Sequence, residues 1–237
     1  MPDTRVPITP EAVYRHVLEE TRSPALALGL LTTVSVVTAA VLLAAFGWLA
    51  VEVQSRGTGP LDVGILHLVY LGHTPALTKL MKVLTTMGAG AFAIPFALAV
   101  YGALRWWRRR PRAARLYVYA CSSGWAMNLL AKALFRRHRP DVVPHLDAAG
   151  WFSFPSGHAM LAPLVFGLAA VLFLREVRSP AVRLISFFAV ALLVIGIGVS
   201  RVYLGVHYAS DVLGALLAGT GWAALCTWLA LRGSASR

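Results

Sequence analysis

Residues 200–211 read "SRVYLGVHYASD" and lie between two uncharged runs, Leu184 to Ser200 and Val212 to Leu231. Uninterrupted apolar stretches of about 18 residues or more read as membrane-spanning helices. An arginine, a histidine and an aspartate between two such spans are expensive there and point to a function. Their reading decides the fold: two spans joined by a short charged turn, in an all-α polytopic membrane protein.

The rest of the chain agrees. Of 237 residues, 58% are hydrophobic and only 14% charged, against about a quarter charged in soluble domains. The apolar runs predict six transmembrane helices, over 25–52, 83–104, 113–135, 156–175, 181–202 and 206–231. Between the first two, "LDVGILHLVYLGHTPALTKLMK" (61–82) mixes apolar positions with Asp62, His67, His73, Lys79 and Lys82. It reads as an interfacial amphipathic segment, with Thr74 and Pro75 as a helix start. The expected organisation is a tail at 1–24, one membrane domain at 25–231 and a tail at 232–237. Cys121 and Cys226 fall within apolar runs as small hydrophobes.

The net charge of +12 would suggest nucleic acid in a soluble protein. No aromatic-basic stripe accompanies it, and membrane orientation accounts for most of it. Six spans put fourteen of the 22 lysines and arginines on one side: Arg5, Arg15, Arg22, the six of "RWWRRRPRAAR" (105–115), Arg175, Arg178, Arg183, Arg232 and Arg237. That side is predicted to be cytoplasmic, which places both tails there. Positive charge on the outer side then needs a reason of its own.

The span count brings three outer segments together: "KALFRRHRP" (132–140), "FPSGHAM" (154–160) and the opening stretch. Lys132, Arg139 and Arg201 form an anion site, the arginine forks matching phosphate oxygens. Ser156 and Gly157 stand at a helix start, where backbone N–H groups favour phosphate. His207 and Asp211 are four apart and share a helix face. An aspartate beside an imidazole fixes its tautomer and stabilises its cation, which suits His207 as nucleophile. His158 is then the general acid. Taken singly, each has an ordinary structural use: a snorkelling lysine, a helix start, an i,i+4 pair. Arg136 and Arg137 are read as solvated or touching headgroups, and Ser200 receives no chemical role.

Lys132-x6-Arg139-Pro140, Pro155-Ser156-Gly157-His158 and Ser200-Arg201-x5-His207-x3-Asp211 resemble the three signature motifs of the type 2 phosphatidic acid phosphatase superfamily. The resemblance covers about residues 113–231. It implies that Lys132, Arg139, Arg201, Ser156 and Gly157 hold a lipid phosphate. It further implies that His207 forms a phosphohistidine, that Asp211 orients His207, and that His158 protonates the leaving oxygen and then activates water. No metal or other cofactor is implied. The expected partners are a membrane lipid phosphate and the bilayer, with no nucleic acid and no oligomeric state assigned. Substrates of this class include phosphatidic acid, phosphatidylglycerol phosphate and undecaprenyl diphosphate, met at the outer face of a bacterial inner membrane. Transfer of the phosphoryl group to another lipid stays open as an alternative. A non-catalytic lipid binder or transporter is a further one, which leaves the His207–Asp211 spacing unexplained. The related vanadium haloperoxidases are soluble, and six spans argue against them.

Overall fold

The computed structural model describes residues 24–174 and 176–235, and these are helical throughout apart from their connections. The tail to residue 23, Arg175, Ser236 and Arg237 lie outside the described residues. The helices are α1 (Pro24–Gln54), α2 (Gly59–Leu71), α3 (Pro75–Gly88), α4 (Gly90–Trp107), α5 (Pro111–Phe135), α6 (Gly157–Leu174), α7 (Pro180–Tyr203) and α8 (Ala209–Ala235). Helix α8 continues to Ala235, so the predicted C-terminal tail at 232–237 is largely helix.

Four helical stretches are long and apolar enough to cross a membrane: Thr32–Gln54, Gly157–Leu174, Pro180–Tyr203 and Ala209–Leu229. The α3–α4 pair makes a fifth if its two halves are taken together. This corrects the single span expected over 83–104. The chain breaks at Ala89, which is extended (φ −74°, ψ 148°), and the two halves meet at 49°. The sequence there is Gly88-Ala89-Gly90, and two glycines weaken helix continuity where the hydropathy alone runs on. Helix α5 has 25 residues, about 37 Å of rise. Its serines, Asn128 and Lys132 make it the most polar of the long helices.

Helix α8 is the centre of the bundle, packing along α1 and against α5, α6 and α7. One core layer joins Leu104, Tyr117, Leu164, Leu168 and Cys226. A second lies directly under the motif segments, with Leu66, Ala159, Met160, Val202, Val212 and Ala215. Pro163 opens a π turn within α6 (Pro163–Gly167), and the Tyr117 hydroxyl donates to the Val165 carbonyl in it at 2.8 Å. Both cysteines are free thiols within the apolar interior.

Glu176 pairs with Arg108 and, at 2.5 Å, with Arg110. The α4–α5 and α6–α7 connections therefore share one end of the bundle, as the charge count expects. The motif segments share the other end. There α2 and α3 are fastened to the end of α7. His73 Nε2 lies 2.9 Å from the Tyr203 carbonyl, and the Tyr203 hydroxyl lies 2.9 Å from Thr78 Oγ1.

Candidate active site

Helix α5 ends at Arg136, whose left-handed backbone (φ 46°) turns the chain so that its N–H meets the Lys132 carbonyl at 3.0 Å. The turn sends the next residues back over the bundle. The connection from 137 to 156 then lies across the ends of α5, α7 and α8. Lys132 holds it from below, donating to the Phe152 carbonyl at 2.5 Å and the Ser153 carbonyl at 3.4 Å. Arg139 holds it from within, donating to the carbonyls of Gly150 (2.8 Å), Trp151 (3.2 Å) and Val206 (2.6 Å). Gly205 adopts φ +75°, and a Cβ there would stand 2.7 Å from the Pro144 carbonyl oxygen. Only glycine fits that turn, and it leads the chain directly to His207.

His207 is buried (2% exposed) between α7 and α8. Its Nε2 faces Arg139 Nη1 at 3.1 Å. Its Nδ1 lies 3.4 Å from both Asp211 Oδ2 and Ser153 Oγ. Asp211 is fully buried. Its Oδ2 accepts from the Tyr208 N–H at 2.8 Å and, by a short hydrogen bond, from Ser153. Burial pushes the His207 ring down to about 4, against the opposing pull of Asp211. The ring is thus neutral near pH 7, with a lone pair on one nitrogen, as a nucleophile requires.

Arg139 stands on the Nε2 side, within electrostatic reach of Lys132 and Arg201. Arg201 (2% exposed) is hydrogen-bonded to Thr85 and forms an ion pair with Asp147 at 2.5 Å. Burial raises the carboxyl of Asp147, but the bonded guanidinium outweighs it and holds Asp147 below the usual carboxylate range. The Nε of Arg201 is buried without a partner, and so is Ser156 Oγ. Ser156 stands at the start of α6 but does not cap it with its side chain, the usual use of a serine there. Two buried donors are thus left for a ligand. Gly157 is also tight against α5: a Cβ would meet Asn128 Oδ1 at 3.2 Å. Asn128 in turn donates to the Pro155 carbonyl at 3.3 Å, so this glycine lets α5 approach the start of α6. His158, half-buried, lies within electrostatic reach of Arg201, His207, Asp147 and Arg139.

The structure therefore brings all eight predicted site residues to one end of the bundle, and it adds four that sequence reasoning missed. Arg137 is the largest correction. It is not solvated: its side chain is 15% exposed and lies between two buried carboxylates, at 2.7 Å from Asp211 Oδ1 and 2.7 Å from Asp62 Oδ2. It also stacks over Tyr208 at 4.3 Å and donates to Ser210 Oγ at 2.7 Å. Asp62 is the second. In the sequence it marks a polar face of an interfacial segment, but in the fold it is 2% exposed. It accepts from the Ser210 N–H at 2.9 Å and the Ser210 hydroxyl at 2.6 Å, capping the first turn of α8. Ser153 and Asp147 are the others. Neither lies in a spaced motif, and only their loop's path over the site reveals them. Among the described residues no group of three His, Cys, Asp or Glu side chains is placed to hold a metal.

Comparison with known proteins identifies relatives of this chain. The family model described as PAP2 superfamily matches residues 112–233. Phosphatidylglycerophosphatase B of Bacillus subtilis (strain 168) is 30% identical over 173 residues, which cover 72% of this chain and 84% of that protein. A lipid A 1-phosphatase of Rhizobium etli is 33% identical over 175 residues, covering 64% and 70%. A crystal structure of a transmembrane PAP2-type phosphatidylglycerolphosphate phosphatase from Bacillus subtilis superposes with a TM-score of 0.75 at 25% identity, over 84% of this chain and 96% of that one. The spacing of the three motifs, their convergence at one end of a helical membrane bundle, and these matches together make the chain a member of the PAP2 superfamily.

Proposed function

We propose that the chain hydrolyses phosphate from a membrane lipid phosphate through a phosphohistidine on His207. The single observation that carries this reading is the division of labour on the His207 ring. Its Nδ1 side faces Asp211 and Ser153, while its Nε2 faces the cationic cluster at Arg139, 3.1 Å away. A phosphate drawn to Arg139, Lys132 and Arg201 meets Nε2. The unpartnered Arg201 Nε and Ser156 Oγ are the donors it would satisfy first. Lys132 and Arg139, which bind loop carbonyls, would turn to the phosphate oxygens.

In the first step the Nε2 lone pair forms a bond to phosphorus and the bond from phosphorus to the lipid oxygen breaks. His158 gives its proton to that oxygen, and the lipid leaves as an alcohol or, from a diphosphate, as a monophosphate. In the second step His158 takes a proton from water, whose oxygen attacks phosphorus and displaces His207. Both transfers develop negative charge on the phosphoryl oxygens, which the three cations stabilise. On this reading no metal is needed.

The relatives act on lipid phosphates by name, and we extend that class to this chain: phosphatidic acid, phosphatidylglycerol phosphate or undecaprenyl diphosphate. Six spans, with α5 and the α3–α4 pair included, would put the arginine-rich connections in the cytoplasm. The active site then faces outward from a bacterial inner membrane, within one membrane domain over 25–231.

The test is phosphate release from a panel of these lipids by purified protein in detergent with excess EDTA, beside His207→Ala. Release by the wild type and none by the variant is the expected result. Lipid alcohol formed without free phosphate would indicate transfer to another acceptor. Activity that requires added Mg²⁺ would remove the metal-free mechanism.

A further inference from the structure

We infer that Asp62 and Arg137 are positioning residues for the phosphoryl transfer, a clamp that holds Asp211 on His207 from behind. The inference rests on the reading of His207 as nucleophile. Its basis is a continuous buried chain of contacts: His207 to Asp211, Asp211 to Arg137, Arg137 to Asp62, and Asp62 to the Ser210 N–H. Asp62 sits on α2, outside the segment matched by the family model.

The guanidinium is divided between two carboxylates. Nη1 donates to Asp211 Oδ1 and Nη2 to Asp62 Oδ2, both at 2.7 Å. Asp211 therefore has one oxygen fixed by Arg137 and the other turned to His207. When Nε2 bonds to phosphorus, Nδ1 keeps its proton and the ring becomes a cation. That cation is stabilised by Asp211. A guanidinium bonded to Asp211 alone would cancel much of that charge. Asp62 on the opposite edge restores it, since two carboxylates and one guanidinium leave a net negative charge beside the ring. Low local polarity makes the balance matter more than it would in water. Asp62 also fixes Ser210, the residue before Asp211, through its N–H and its hydroxyl. Geometry and charge thus act on the same carboxylate.

A purely structural role, in which Asp62 only pins α2 to α8, would look different in the pH profile. The charged and titratable groups facing His207 are Asp211 and Arg139 by contact, with Lys132 and His158 within electrostatic reach. Taking away a negative charge behind Asp211 makes the His207 ring harder to protonate. The acid limb of kcat/KM then moves to lower pH. Loosening the packing admits water and moves the limb the other way, toward an ordinary histidine.

The experiment compares wild type, Asp62→Asn, Asp62→Glu and His207→Ala as full-length protein in detergent, with phosphatidic acid as probe. For Asp62→Asn we expect kcat to fall about tenfold with KM within about twofold, and the acid limb to shift downward. Asp62→Glu should recover most of kcat. If Asp62→Asn does not fold, the double variant Arg137→Met with Asp62→Leu replaces the buried pair by apolar groups. That exchange is often tolerated by the fold, and it too should lose at least about tenfold in kcat because Asp211 Oδ1 has no donor. A folded Asp62→Asn with wild-type kcat and an unmoved limb overturns the inference, as does a limb that moves upward in that variant; for the double variant, which removes one charge of each sign, wild-type kcat alone overturns it. Activity retained by His207→Ala would instead overturn the nucleophile assignment itself.

Discussion

Replacing Arg137 by alanine tests the buried network most directly, because the sequence alone treats this residue as solvated. Its removal strands two carboxylates, Asp62 at 2% and Asp211 at 0% side-chain exposure. Breaking a buried ion pair by deleting one partner costs about 3–5 kcal/mol. The lost stacking on Tyr208 at 4.3 Å adds about 0.5–2 kcal/mol. In a chain of this size each kcal/mol moves Tm by about 2–4 °C, so Arg137→Ala should lower it by roughly 15 °C. The assay is thermal unfolding of purified protein in one detergent at pH 7, with Arg136→Asn as control. Arg136 is exposed and has φ 46°, a conformation asparagine tolerates. The control should stay within about 0.5 kcal/mol of wild type, as surface changes do. If Arg137→Ala unfolds within about 1 °C of the wild type, the two carboxylates are not held as described and the reasoning fails.

Four further outcomes are expected. With His207 lowered to about 4, its acid limb in kcat/KM should appear well below pH 6; a limb near 6.5 would show a hydrated, ordinary histidine. The same shift has a stability consequence: the unfolded ring takes up a proton first as pH falls from about 6.5 toward 4. Stability should therefore be lost across that window, and a Tm constant from pH 7 to 4 would contradict it. Ser156→Ala removes a buried hydroxyl without a partner, so Tm should hold or rise while kcat/KM falls about tenfold; loss of both together would mean the hydroxyl is structural. Asp147→Asn frees Arg201 from a competing carboxylate at 2.5 Å, so inorganic phosphate should inhibit at a several-fold lower concentration. Weaker inhibition would mean that Asp147 orients Arg201 rather than competing for it.

Hydropathy is a local property, and it was enough to establish a helical membrane protein and the limits of α1, α5, α7 and most of α8. It failed at Ala89, where two glycines break a run that remains apolar on both sides. The candidate site was legible where spacing carries chemistry: His207 and Asp211, four residues apart, do pair, although α8 starts at Ala209 and His207 stands in the turn before it rather than on its face. Lys132, Arg139 and Arg201 could be grouped because the number of spans puts their segments at the same end.

What only the tertiary structure decided is which charges are buried together. Arg136 and Arg137 are neighbours at the end of one helix, yet one is exposed and the other lies between two carboxylates. The difference is made by the left-handed turn at Arg136 and by Asp62, 75 residues earlier in the chain. Asp62 reads in the sequence as a polar position of an interfacial segment, because periodicity does not specify what packs against a face. Ser153 and Asp147 belong to a connection without periodicity, and their partners follow from its path over the bundle. A sequence specifies which groups are available and how they are spaced along each helix. Desolvation and pairing, which set their chemistry, depend on elements that meet only when the chain has folded.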